Sequence, residues 1–171
     1  MHNHTHTSYW IKHLYFLLLF TVGIITHGIA EDHHYSFIRI NNNDGLVNNQ
    51  TTSILKDSRG FVWFGTSSGL SRFDGSGFKN YIHNDKDSTS LLDNFIENMQ
   101  EDAEGNLWIQ MRWYYSVFNF ENDTFISLPD LLNKNGLQNE VVEKVYIDKE
   151  KQVWLKTASR QHYVLYDVKT G

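Results

Sequence analysis

The chain has no cysteine and one proline among 171 residues. The first absence excludes a disulfide framework and any cysteine-based metal or redox site. The second leaves glycine and polar residues to punctuate the chain. Cations are scarce: 15 Lys and Arg stand against 20 Asp and Glu, a net charge of −5. The first 30 residues hold Lys12 and no acid, so the remainder stands at −6. Such a chain lacks the basic face that nonspecific nucleic-acid binding requires, and no nucleic-acid partner is expected. Also missing are G-x-S-x-G, H-E-x-x-H and a phosphate-cradling glycine loop. No catalytic constellation, metal set or cofactor motif stands out, so the chain itself is not expected to be an enzyme. After residue 30 there is no helix-period apolar pattern of useful length.

Aromatic residues are plentiful, at 15%, and they recur. Trp63, Trp108 and Trp154 lie 45 and 46 residues apart. Six positions before each stands Asp57, Asp102 or Asp148. Nine before stands Ile54, Met99 or Val145, and seventeen before, Leu46, Leu91 or Leu137. Phe73 and Phe118 follow their Trp by ten residues, and Tyr166 follows by twelve. Phe78 and Phe125 open a fourth strand, and Phe37 holds the equivalent place ahead of the first copy. Each unit reads as about four short strands in roughly 45 residues, the size of one propeller blade.

The first copy shows the local logic. Asp57-Ser58-Arg59-Gly60 suits a type I turn, with Asp first and Gly fourth. Phe61 to Phe64 is aromatic and β-branched, as a buried strand should be. The second copy keeps Asp102, Gly105 and Trp108 but has Gln110-Met111 where the first has Gly65-Thr66. The third keeps Asp148, Trp154 and Thr157, with Lys151 where Gly60 and Gly105 stand. Lys151 must adopt a backbone conformation that side chains disfavour, or the turn must differ. Because Asp57, Asp102 and Asp148 recur at one turn position, they read as structural. A catalytic acid is needed once, a turn residue in every blade. The three Trp residues read as core between blades.

These residues resemble the two-component regulator propeller repeat, whose pattern is matched by Gly45-Leu46, Ile54, Asp57, Gly60, Val62 to Thr66, Gly69-Leu70 and Phe73-Asp74. The resemblance runs from about Tyr35 to Gly171. It implies the extracytoplasmic sensor of a bacterial hybrid two-component system, with an inner-membrane-anchored parent that carries a histidine kinase and a response regulator. It also implies an oligosaccharide ligand, partners in the rest of the propeller and the downstream sensor domains, and a homodimer formed through the parent. The alternative is a secreted propeller that binds a protein or glycan with no kinase attached.

Along the chain, Met1 to Ala30 resembles a secretory leader. Leu14 to Ile25 is a 12-residue apolar run, short for a spanning helix. Gly28 and Ala30 place cleavage before Glu31; an uncleaved anchor is the alternative. In either case the blades are exported to the periplasm. His2, His4 and His6 fall in the leader and are given no metal role. Tyr35 to Ile40 aligns with the outer strand of a blade. Leu91 to Gln100 and Leu131 to Leu137 have room for a helical turn but read as linker between blades. By the spacing in copy two, the next fourth-strand aromatic would fall at position 173, beyond Gly171. A propeller closes with about four to eight blades. The expectation is therefore an all-β chain, residues 31–171, forming about three four-stranded antiparallel blades of a larger propeller in a longer protein.

The direction of the strands defines a ligand face. Turns between second and third strands share an end with the connectors between blades. In copy one that turn is Ser67-Ser68-Gly69; in copy two it is Arg112-Trp113-Tyr114-Tyr115. Aromatic rings with polar tips beside an arginine suit sugar or peptide recognition. The alternative is packing against a neighbouring blade or domain. Arg112, Trp113, Tyr114 and Tyr115 are the candidate ligand-binding residues.

Overall fold

A computed structural model describes residues 12–18, 36–135, 140–158 and 163–166. The chain divides into two units, Met1–Ile38 and Arg39–Gly171. In the first, residues 12–18 are helical and exposed. The rest of the leader, its cleavage point and His2, His4 and His6 lie outside the described residues. Among the described residues no helix is long and apolar enough to cross a membrane.

The second unit holds three antiparallel sheets. Blade 1 is β1 (Thr51–Lys56), β2 (Val62–Thr66), β3 (Gly69–Phe73) and β4 (Phe78–Tyr81), hydrogen-bonded in that order. Blade 2 repeats the order with β5 (Ile96–Glu101), β6 (Leu107–Met111), β7 (Tyr115–Asn119) and β8 (Thr124–Ser127). Blade 3 has β9 (Val142–Ile147), β10 (Val153–Thr157) and β11 (Tyr163–Tyr166) among the described residues.

The sheets stack through their faces. Strand alternation puts Trp63, Leu70 and Tyr81 on the face of blade 1 that meets Ile96, Met99, Ile109, Phe118 and Phe125 of blade 2. Trp63 is fully buried there, edge-on to Phe118 with centroids 5.0 Å apart. The opposite face of blade 2 carries Trp108 and Val117 onto Val145, Val153 and Leu155 of blade 3. Burying one large apolar side chain stabilises by roughly 1.5–3 kcal/mol, so these two seams hold the array together. The face of blade 3 that bears Trp154, Tyr146 and Leu165 has no sheet against it among the described residues, and Tyr146 is 49% exposed. On blade 1, Ile54 is likewise exposed on the face away from blade 2.

The same hairpin closes the first two strands of every blade. Gly60 N–H donates to Asp57 O, Gly105 to Asp102 O and Lys151 to Asp148 O, at 3.0–3.1 Å. Lys151 takes φ +62° and keeps the turn that Gly60 and Gly105 make at φ +95° and +78°. Its side chain reaches back to blade 2, where Nζ lies 2.6 Å from Glu101 Oε2. That contact, which glycine could not make, offsets the conformational cost.

Three sequence readings are corrected. Leu131 to Leu137 is not plain linker: a helix spans Leu128–Lys134. Ser127 caps it by accepting from Asp130 N–H, Pro129 fits its first turn, and Leu128 and Leu132, one turn apart, are buried in the blade 2–3 seam. The first half of Leu91 to Gln100 is connector, but Ile96 onward is the inner strand β5. Residues 36–40 form no strand, and Phe37 is 94% exposed. An outer strand needs a neighbouring strand to take its N–H and C=O groups, and none lies beside it among the described residues. Tyr35 and Leu137 lie outside the described residues.

Candidate functional site: the rim of blade 2

The β2–β3 and β6–β7 hairpins point to one end of their blades, as do the exits from β4 and β8. In blade 1 Thr66 and Gly69 pair across the turn and side chains add to it: Thr66 Oγ1 donates to Gly69 O, and Ser68 N–H donates to Thr66 Oγ1. In blade 2 Met111 and Tyr114 bond across it through backbone. Met111 N–H donates to Tyr114 O at 2.8 Å, and Tyr114 N–H donates to Met111 O at 3.2 Å. Thr66 and Gly69 pair across the first hairpin as Met111 and Tyr114 do across the second. The two turns therefore have the same length. Arg112 and Trp113 replace Ser67 and Ser68 without an insertion, and Tyr114 takes the place of Gly69, whose φ of +138° it does not share.

The base of this hairpin is rigid. Met111, Ile109 and Ile96 are buried beneath it. Above it Trp113 is 82% exposed and Tyr114 47%. Arg112 sits over the Phe95 ring, its guanidinium carbon 5.3 Å from the centroid. Tyr115 departs from the other three. It begins β7, is half-buried and, with Asn98, Gln100, Gln110 and Trp108, lines a cleft of about 10 Å³ against Val145. Burial pushes its phenol above the ordinary value. The structure thus brings Arg112, Trp113 and Tyr114 together on the rim and turns Tyr115 towards blade 3. Arg160, Gln161 and His162, the corresponding turn of blade 3, lie outside the described residues.

The repeated acids sit at the other end of the blades and are fully engaged. Asp57 accepts the Trp63 indole N–H at 2.7 Å and backbone N–H groups of Arg59 and Phe61 at 3.0 Å. Asp102 does the same for Trp108 at 2.8 Å, and Asp148 for Trp154 at 2.7 Å. The Trp154 indole, then the N–H of Gln152, hold Asp148 below the usual carboxylate range against its slight desolvation. These carboxylates fasten turn to core. Sequence reasoning placed the Asp in the turn but missed the indole; the constant six-residue spacing was the available signal.

Sequence reasoning also missed a polar cluster on the outer wall. Asp123, at φ +58°, accepts from Arg72 at 3.0 Å, from the Tyr81 hydroxyl at 2.8 Å and from Lys79. It joins blade 2 to blade 1 beside a groove of about 510 Å³ lined by Asn80, His83, Asp87 and Thr124. Its residues fall at no repeat position, so no periodicity announced them. Among the described residues no group of His, Asp and Glu could hold a metal ion.

Sheets of antiparallel strands stacked face to face, each fastened by an Asp–Trp bond, define an array of β-propeller blades. The model of the two-component regulator propeller family matches residues 45–68, in blade 1 and its entry, and 90–112, in blade 2 and its entry. Over 62 residues the chain is 39% identical to histidine kinase P4 of Formosa agariphila. That match takes in 36% of this chain and 4% of the kinase. Two crystal structures of an extracellular domain from Bacteroides thetaiotaomicron share the fold. One, described as from a putative hybrid two-component system, aligns with a TM-score of 0.52 at 24% identity, covering 80% of this chain and 19% of that one. The other, described as from a putative one-component system, aligns at 0.50 and 24%, covering 73% and 18%. The chain thus spans a small fraction of the proteins it matches.

Proposed function

We propose that these blades belong to the extracytoplasmic sensing propeller of a two-component signal-transduction protein, and that the blade 2 rim receives a glycan-derived ligand. One observation carries the reading: Arg112, Trp113 and Tyr114 stand on a repeat turn whose backbone does not need them. The repeat family and the likeness to a histidine kinase support the signalling context. In this reading the chain binds and does not catalyse. Its location is periplasmic, the rest of the propeller and the downstream sensor domains are its partners, and the parent dimerises in the inner membrane.

The test is autophosphorylation of the intact protein against a panel of oligosaccharides, beside a Trp113→Ala, Tyr114→Ala variant. The expected result is a response in the wild type that the variant loses while its unfolding midpoint stays put. An unchanged response in a folded variant removes the rim assignment. Binding without phosphorylation points to the secreted, kinase-free propeller. Hydrolysis of any polysaccharide overturns the non-catalytic reading.

A further inference from the structure

The rim has a charge as well as a shape, and the charge narrows the class of glycan that the rim, as a glycan site, would take. Among the described residues, the other arginines of these blades spend donors internally. Arg59 donates to Gly105 O at 2.6 Å, and Arg72 pairs with Asp123 at 3.0 Å. Among the described residues no carboxylate pairs with Arg112. Glu97, on the strand beside it, accepts from Gln110 Nε2 at 3.0 Å. Arg112 instead lies against the Phe95 ring at 5.3 Å, which steadies the guanidinium plane and leaves its N–H fork open. Trp113, the next residue in the chain, is 82% exposed on a turn pinned by two reciprocal backbone hydrogen bonds.

We propose, resting on the glycan reading of this rim, that the trio binds a uronate, a sugar that carries a carboxylate. The carboxylate takes the Arg112 fork, and the apolar face of the sugar ring lies on the Trp113 indole, with Tyr114 beside it. A planar carboxylate offers two oxygens at the spacing of the fork, so both hydrogen bonds form at once and both are charge-assisted. A neutral sugar would desolvate the guanidinium and return only ordinary hydrogen bonds. Holding Arg112 against Phe95 before binding lowers the ordering cost of the complex.

The test is calorimetric titration of the intact protein with three probes: an oligogalacturonide, its carboxyl-reduced neutral counterpart, and a sulfated neutral oligosaccharide. The expected result is that the carboxylated probe binds at least about tenfold tighter than the reduced one. Arg112→Gln should erase that difference and leave the neutral probe's affinity unchanged. Arg112→Lys should recover only part of it, because an ammonium lacks the fork. Equal affinity for carboxylated and reduced probes overturns the uronate proposal and leaves the glycan reading standing. So does a sulfated probe that binds as tightly as the carboxylated one, or an Arg112→Gln variant that keeps the preference. Failure of any glycan to bind overturns both proposals. Arg112 is on an exposed turn, and the unfolding midpoint of each Arg112 variant measured beside that of the wild type serves as the folding control.

Discussion

Trp63 donates its indole N–H to Asp57 at 2.7 Å, a bond that ties the turn at one end of blade 1 to the centre of the seam with blade 2. The same bond recurs in blades 2 and 3. In blades 1 and 2 it solves one problem twice: a large ring must be buried to fill the space between sheets, and its N–H must find an acceptor there. In blade 3 the half-buried Trp154 makes the same bond.

Asp102 therefore matters more than an ordinary turn residue. Its carboxylate accepts from Trp108, from the backbone of Glu104 and Asn106, and from the Asn106 side chain. Asp102→Ala orphans these donors in a site 1% exposed. The expected loss is roughly 2–4 kcal/mol in urea unfolding followed by tryptophan fluorescence. A loss within experimental scatter would mean that the bond is geometric coincidence.

The Lys151–Glu101 pair predicts a pH dependence. Burial disfavours the ionised Glu101 carboxylate, but hydrogen bonds from Lys151 and Ser58 outweigh it and hold the group below its ordinary value. A carboxylate depressed in the folded state adds stability above its unfolded value of about 4.3, and that stability is lost as pH falls through the lower folded value. Wild type should therefore lose more stability than Glu101→Gln when both are taken from neutral pH to below about 4. Parallel acid limbs in the two denaturation series would remove the pair from the explanation. Lys151→Gly should relieve the left-handed backbone yet fail to stabilise, because Glu101 then stays buried without its cation.

The two seams and the uncovered face rank the tryptophans. Trp108 is buried between blades 2 and 3, whereas Trp154 lies half-covered on a face with no sheet against it among the described residues. Trp108→Ala should cost about 3–5 kcal/mol, and Trp154→Ala less than about half of that. Equal losses in this chain, measured by the same unfolding experiment, would mean that Trp154 is packed as deeply as Trp108.

The blades were legible because blade physics repeats. Asp57, Trp63, Phe73 and Phe78 do the same work as Asp102, Trp108, Phe118 and Phe125, or nearly so, and periodicity exposes whatever is done more than once. Features that occur once had no such signal. The Leu128–Lys134 helix was written in Ser127, Pro129 and the Leu128–Leu132 spacing, but seven residues carry too little period to stand out from a linker. Lys151 looked like decay of the turn, because its reward, Glu101, is 50 residues away in sequence. The Asp123 cluster joins residues from two blades that only the stacked sheets bring together. The rim residues were legible for the opposite reason, as a departure from the repeat, while the turning of Tyr115 towards Val145 needed the sheet register.

The equal length of the two rim turns allows fold and recognition to be separated in one protein. Replacing Arg112 and Trp113 with the serines of blade 1, as Arg112→Ser with Trp113→Ser, changes no strand and no buried residue. Met111 and Tyr114 keep their reciprocal backbone bonds, because these need no side chain from the turn. Serine is at home in such turns. The Phe95 ring loses its cation, a contact worth about 0.5–1 kcal/mol at an exposed site. Stability should therefore fall by no more than about 1 kcal/mol, while any glycan response carried by this rim is abolished. The reverse graft, Ser67→Arg with Ser68→Trp, places the same two side chains on blade 1 but offers no Phe95 beneath the guanidinium. It should not create a second site of equal affinity. A response that survives the serine graft in a protein of wild-type stability would show that recognition lies elsewhere on the propeller, with the outer-wall groove beside Asp123 next in line.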